Sequence, residues 1–201
     1  MSWIEMIGAD KAAGRLKALY DRIAGPKGQV DHVLAIHGLR PHTLEGHMAL
    51  YKAVLHHGAN RLDTAYLETI GVYVSLLNGC GYCLEHHFAG LKRLLGDDAR
   101  ASEIRSALES DNLGSAFVRR EAAGLVYARK LTRNPAGMEK TDIAGLREAG
   151  FDDGEILEIN QVAAYFAYAN RTVLGLGVSL VGEELGLSPG DSSDPDNWSH
   201  G

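Results

Sequence analysis

Apolar residues recur along most of this chain at three- and four-residue spacing, the period of a helix with one buried face. Leu16, Leu19, Tyr20 and Ile23 mark the first such face, in an amphipathic stretch from Asp10 to Ala24 stopped by Gly25-Pro26. A short apolar segment, Val30 to Ile36, ends before Arg40-Pro41. Thr43 is a candidate cap for a helix through Met48, Leu50, Tyr51, Val54 and Leu55 to the stop at Gly58. Asp63 caps the next, where Leu67, Ile70, Val74 and Leu77 repeat until Asn78-Gly79 breaks the run. The helix after that break continues to Leu95 and stops at Gly96. Ala99 to Leu108 reads as a short exposed helix, and Ser115 to Leu131 as a longer one ending before Asn134-Pro135. Thr141 and Gly150 cap a helix over Thr141 to Ala149. Asp153 to about Gly177 is the longest and most apolar helix, central or at an interface.

No segment alternates with period two over the length of a strand, so the pattern predicts an all-α fold. From Ser188 the run Pro-Gly-Asp-Ser-Ser-Asp-Pro-Asp-Asn predicts a polar tail, disordered or loosely docked. The expected division is one helical domain over residues 1–187 and a tail over 188–201.

Composition narrows the setting. A chain of 201 residues, 45% hydrophobic and 23% charged, suits a globular domain with a real core. Its formal charge of -6 argues against nucleic acid as a partner, which would require a basic face. Met1-Ser2-Trp3-Ile4-Glu5 lacks the basic start and apolar run of a signal peptide. The most apolar region, Ile159 to Leu180, contains Asn160, Gln161, Asn170 and Arg171, which argues against a membrane span. Two closely spaced cysteines in such a chain point to a reducing, cytoplasmic compartment.

Both cysteines lie in Cys80-Gly-Tyr-Cys83-Leu-Glu-His86-His87. At three- and four-residue spacing, Cys80, Cys83 and His87 share one helix face. Two buried cysteines serving as small hydrophobes would not require that clustering. A metal site could draw on Cys80, Cys83 and His87 with His86 or Glu68, but a structural zinc site usually takes a second ligand pair from a separate segment. Redox chemistry accounts for more of the local sequence. Asn78-Gly79 puts Cys80 at a helix start, where free N–H groups favour a thiolate, and His87 lies one turn beyond Cys83 as a proton acceptor. Helix position favours Cys80 as the attacking sulfur, and proximity to His87 favours Cys83. Glu68 stands on the apolar face of the preceding helix. If the break folds the two helices together, Glu68 can approach His87 and strengthen it as a base, the alternative being a solvent-facing carboxylate.

Glu68, Cys80-x-Tyr82-Cys83 and His87 together resemble the core motif of the alkylhydroperoxidase AhpD-like proteins of the carboxymuconolactone decarboxylase superfamily. The similarity extends over roughly residues 10 to 180. Leu39-Arg40-Pro41, the Leu-Thr-Arg-Asn-Pro run at 131–135, Leu146 to Phe151 and Asn170-Arg171 are similar to the branch labelled peroxidase-related. The resemblance implies an AhpD-like all-helical single domain assembling into a symmetric homo-oligomer, a trimer or hexamer. It implies a peroxidatic Cys83, a resolving Cys80 and a proton relay of Glu68 and His87. It further implies a hydroperoxide substrate, an external dithiol or lipoyl-type reductant, and no bound cofactor. The namesake enzymes carry a histidine where this chain has Tyr82, which is no useful base near neutral pH. Tyr82 and His86 are thus accessory candidates. The superfamily's decarboxylases do not use the cysteine pair, so retention of both cysteines favours redox chemistry. A redox sensor or disulfide-exchange protein would form the same disulfide without peroxidase turnover.

Other features invite bland readings. His47, His56 and His57 read as exposed or packed histidines. Arg171, in an apolar helix, calls for a structural ion pair. Gly175 and Gly177 would permit close helix approach, and Trp3 and Trp198 carry no functional signal.

Overall fold

The computed structural model describes residues 2–186, 188–194 and 197–198. Among them it forms α1 (Gly14–Ile23), α2 (His32–Ala35), α3 (Pro41–Leu55), α4 (Thr64–Leu77), α5 (Gly81–Leu95), α6 (Asp98–Glu109), α7 (Arg119–Arg133), α8 (Lys140–Glu148) and α9 (Asp153–Leu176). The described residues contain no strand, as the hydrophobic pattern predicts. None of their helices is long and apolar enough to cross a membrane.

Helix α4 organises the packing. Every residue from Tyr66 to Ser75 is buried, so this helix is apolar on all sides and must be wrapped by others. Asp63 caps it, accepting from the Ala65 amide at 2.9 Å. Gly79, at φ 69°, turns the chain in the left-handed region that favours glycine. That turn lets α5 fold back against α4, and α9 and α7 cover the remaining sides. Gly71 gives α9 room to approach, because a methyl group there would overlap the ring of Phe166.

Several local expectations change on contact with the structure. Helix α3 begins at Pro41, whose fixed φ and missing N–H suit a first helical position. Thr43 therefore lies inside the helix and donates to the Arg40 carbonyl. Likewise α8 starts at Lys140 after Glu139, whose amide donates to Asp142, so Thr141 sits in the first turn. Helix α6 is half-buried, since Ala101, Ile104, Ala107 and Leu108 face the core. Arg171 is exposed and donates to the Ala167 carbonyl one turn back.

The polar segment after α9 packs onto the helices. Lys52 of α3 is only 2% exposed because its ammonium donates to the carbonyls of Gly190 and Asn197, each at 2.8 Å. Trp198 is buried beside Tyr51, their ring centroids 6.1 Å apart. Residues 188–194, 197 and 198 thus form a docked strap, and the remaining tail positions lie outside the described residues. A sequence of small polar residues carries no apolar period, so the docking rests on backbone carbonyls and one indole that no pattern reveals.

Gly71→Ala should destabilise the fold by about 1–3 kcal/mol, the usual cost of overpacking a filled core. Urea unfolding followed by circular dichroism would detect it. An unchanged midpoint would mean that α4 and α9 do not depend on this close approach.

Candidate active site

Folding α5 back on α4 brings the dithiol under the core. Cys80 is the residue that caps α5, and its amide donates to the Ser75 carbonyl at 2.9 Å. Cys83 lies in the first turn of the same helix. Both are free thiols, Cys80 wholly buried and Cys83 3% exposed. Asn170 of α9 is also wholly buried and hydrogen-bonds to both sulfurs. The Asn170 amide is oriented from two sides. Asn78 Nδ2 donates to its Oδ1 at 2.9 Å, and its own Nδ2 donates to Ser75 Oγ at 3.1 Å.

These contacts make the first proton easy to lose and the second hard. The Cys83 thiol hydrogen-bonds to the Cys80 sulfur and, with the Cys83 amide, Asn170 and the charge of His87, lowers Cys80 to about 7 against the opposing effect of burial. Cys83 is pushed well above its ordinary value by Cys80 and by burial. A hydrogen-bonded pair titrates as a unit, so one sulfur becomes an anion while the other retains the shared proton. Cys83 lines the adjoining cavity and Cys80 does not. Acidity belongs to the pair, and access belongs to Cys83.

Glu68 is buried on α4 and bonded to His87, its Oε2 lying 2.7 Å from the imidazole Nδ1. A solitary carboxylate in that position would cost several kcal/mol or take up a proton. Burial does press its pKa upward, but the charge and hydrogen bond of His87, followed by the charges of His56 and Arg93, hold it below the usual carboxylate range. His87 is further held by the ring of Phe166, edge-on with centroids 4.6 Å apart. The solvent-facing alternative for Glu68 is excluded by its 2% exposure.

The cavity beside Cys83 has aromatic walls, Tyr51, Tyr165 and Trp198, and a polar floor of Glu68 and His87. His86 also lines it, so both neighbouring histidines reach this space from different sides. His47 is 2% exposed, and burial, reinforced by His37 and His87, lowers it to about 3, leaving a neutral ring that meets the Tyr165 hydroxyl at 3.3 Å. No lysine or arginine lines the cavity among the described residues, so nothing there matches the carboxylates of a lactone acid.

Tyr82 points away from base chemistry and into a structural clasp. Its hydroxyl accepts from the Val33 amide at 3.1 Å and donates to Glu183 at 2.9 Å. Glu183 also accepts from the His32 amide and lies 3.6 Å from His86 Nε2. Burial raises this carboxyl, yet the nearby His86 ring, the hydrogen bonds from the His32 amide and Tyr82, and the charge of His32 bring it below its ordinary value. Tyr82 and Glu183 thereby tie α5 to the start of α2 and to the segment after α9, with His86 beside them.

Sequence reasoning assigned no role to Asn170, Glu183 or Trp198, and read His47 and His56 as exposed or packed histidines although His47 lines the cavity and His56 approaches Glu68. Only Asn170 gave a usable signal, an amide within an apolar helix, which burial obliges to find polar partners. Among the described residues no group of three or more His, Cys, Asp or Glu side chains is placed to hold a metal ion. Cys80 and Cys83 share a hydrogen-bonded proton, and Glu68 and His87 form a second pair beside the same cavity.

The carboxymuconolactone decarboxylase family model matches residues 41–128, the stretch that carries Glu68, Cys80, Cys83 and His87. No curated protein matches the chain. A peroxidase-related protein with an alkylhydroperoxidase AhpD core from Ralstonia eutropha JMP134 superposes with a TM-score of 0.77 at 23% identity, over 89% of this chain and 91% of the other. An uncharacterised peroxidase-related protein from Silicibacter sp. TM1040 gives 0.77 at 26% identity, again over 89% and 91%. A variant of the debrominase Bmp8 in complex with 2,3,4-tribromopyrrole gives 0.67 at 16% identity, over 90% and 95%. The helical order, the family-model match over residues 41–128 and the seating of the dithiol within that stretch agree, and the chain has the AhpD-like fold with a carboxymuconolactone decarboxylase family match at its centre.

Proposed function

We propose that the protein is a thiol-dependent peroxidase that reduces alkyl hydroperoxides through a Cys80–Cys83 dithiol/disulfide cycle. One observation carries the reading: the acidic sulfur pair meets the cavity through Cys83, beside a Glu68–His87 pair joined at 2.7 Å. His87 accepts the proton of Cys83 and the ionised Glu68 stabilises the resulting imidazolium. The Cys83 thiolate attacks the terminal oxygen of the hydroperoxide, and the O–O bond breaks. The departing alkoxide takes the proton from His87 and leaves as the alcohol, with Cys83 oxidised to the sulfenic acid. Cys80 then attacks the Cys83 sulfur, its proton leaves with the hydroxide as water, and the disulfide forms. An external dithiol of lipoyl type returns both thiols by exchange and is itself oxidised to a disulfide.

Assembly as a symmetric trimer or hexamer and residence in a reducing cytoplasm belong to the same reading, supported by the resemblance and by the two free thiols. The aromatic walls favour a second substrate class. A flat ring would pack between Tyr51, Tyr165 and Trp198, and a dithiol can supply the two electrons that replace a ring bromine by hydrogen, releasing bromide. That activity is the one named for Bmp8.

Thiolate formation gives the first test. Reduced protein should develop thiolate ultraviolet absorbance with a first midpoint near 7, the anion being present above that pH and lost below it. Cys83→Ala removes the neighbouring S–H donor and should move the Cys80 midpoint upward. A wild-type midpoint in the ordinary thiol range, or an unmoved one in the variant, would contradict the shared-proton pair.

Turnover gives the second. With a lipoyl-type dithiol, Cys83→Ser should abolish consumption of an organic hydroperoxide, and Glu68→Gln or His87→Ala should slow it by about 10²-fold or more. Unchanged consumption in Cys83→Ser would end the assignment of that residue. A disulfide that forms without turnover would favour a redox sensor or exchange protein, and bromide release from tribromopyrrole without peroxide loss would favour the second substrate class.

A further inference from the structure

Glu68 has two carboxylate oxygens, and the relay with His87 employs one of them. The other, Oε1, faces His56 Nε2 at 3.7 Å. His56 caps the C-terminal end of α3 and is 3% exposed. Nothing in peroxide chemistry calls for a second buried histidine on the same carboxylate. Its far nitrogen, Nδ1, lies 3.1 Å from Asp191 Oδ1, on the strap beyond α9 and outside the stretch matched by the family model.

Asp191 is fixed in turn. Thr64 donates to its Oδ2 at 2.6 Å, and the Lys52 ammonium adds a favourable charge. The Ser192 amide donates to the His56 carbonyl at 3.0 Å, so strap and histidine hold each other through both backbone and side chain. The Tyr51 hydroxyl, 3.1 Å from Nε2, completes the surroundings of the ring.

We infer that His56 and Asp191 are positioning residues of the dithiol site: Asp191, carried back by the strap, holds His56 against the outer oxygen of Glu68, so that two imidazoles clamp the buried carboxylate. The inference rests on the relay reading of Glu68 and His87 given above. With Asp191 accepting from Nδ1–H, a second proton on the ring sits on Nε2, between Glu68 and Tyr51. An imidazole nitrogen 3.7 Å from Oε1 in this buried site helps to hold the carboxylate ionised.

The groups facing Glu68 are His87 and Arg93 from α5, Tyr51 and His56 from α3 and its cap, and Tyr165 from α9. Of these, the two histidines reach its oxygens directly, His87 Nδ1 at 2.7 Å from Oε2 and His56 Nε2 at 3.7 Å from Oε1. Without His56 the carboxylate would take up a proton more readily, and a neutral Glu68 would no longer support an imidazolium at His87. The thiolate would then form at a higher pH.

The experiment is a thiolate absorbance titration of reduced full-length protein carrying His56→Gln, Asp191→Asn, Asp191→Glu or Glu68→Gln. The first midpoint should rise by about half a unit or more in His56→Gln. It should rise less in Asp191→Asn and return toward wild type in Asp191→Glu, a rescue that a merely structural role for the strap would not give. His56→Asn stands in if His56→Gln loses its helical circular dichroism. A rise in Glu68→Gln with no rise in the His56 and Asp191 variants would overturn the clamp and leave the relay standing. No rise in Glu68→Gln would remove the relay, and the clamp with it.

Discussion

A carboxylate enclosed by a helical core must be paired or protonated, and Glu68 is the constraint on which the site depends. It faces inward from the middle of α4, among residues that are all buried, where water cannot stabilise its charge. The pairing with His87 therefore fixes how α5 lies on α4, and that in turn fixes where Cys80 and Cys83 stand. The turn at Gly79 and the space at Gly71 serve the same arrangement. One permits the hairpin, and the other lets Phe166 of α9 reach the imidazole from behind. Helix packing and the placing of the dithiol thus both follow from one buried charge.

Helix α9 and the strap close what the α4–α5 hairpin leaves open. Asn170 supplies the hydrogen-bond donor for a sulfur anion, and it can do so only because Asn78 and Ser75 consume its other polar groups. The strap contributes Trp198 to the cavity wall, and the segment between α9 and the strap contributes Glu183 to Tyr82. Where the namesake enzymes have a histidine, this chain has a tyrosine whose proton is pledged to Glu183. No base stands between the cysteines here, and in the proposed cycle His87 takes the acid–base role. His86 stays within reach of the same buried carboxylate.

Much of this was legible in the sequence, because helical periods and motif spacing are local. Leu67, Ile70 and Val74 located α4, Asn78-Gly79 located the turn, and the i, i+3 and i+4 spacing of Cys80, Cys83 and His87 placed them on one face. Glu68 was readable only in part. Its position on an apolar face signalled something, but the pairing required the fold of the hairpin. His56, Glu183 and Trp198 were not readable at all. Each acts through a partner far away in sequence, and a histidine, a glutamate or a tryptophan near a chain end is ordinary by itself. The caps at Thr43 and Thr141 misled for a related reason: a proline at the first turn and an acid–amide exchange at the next outweighed the generic preference for threonine.

Burial of the dithiol bears on the choice of reductant. A hydroperoxide is small enough to enter beside Tyr51 and Tyr165, but thiol–disulfide exchange requires a third sulfur to approach the Cys83 sulfur in line. Cys80 is wholly buried and Cys83 is 3% exposed, so a cysteine set in the flat surface of a folded protein could not make that approach without displacing the strap. A lipoyl group meets the requirement differently, since its dithiol sits at the end of a thin, flexible arm that can follow the cavity. In the proposed cycle, the contacts that lower the first thiol and shield the pair from solvent would therefore also favour a slender reductant.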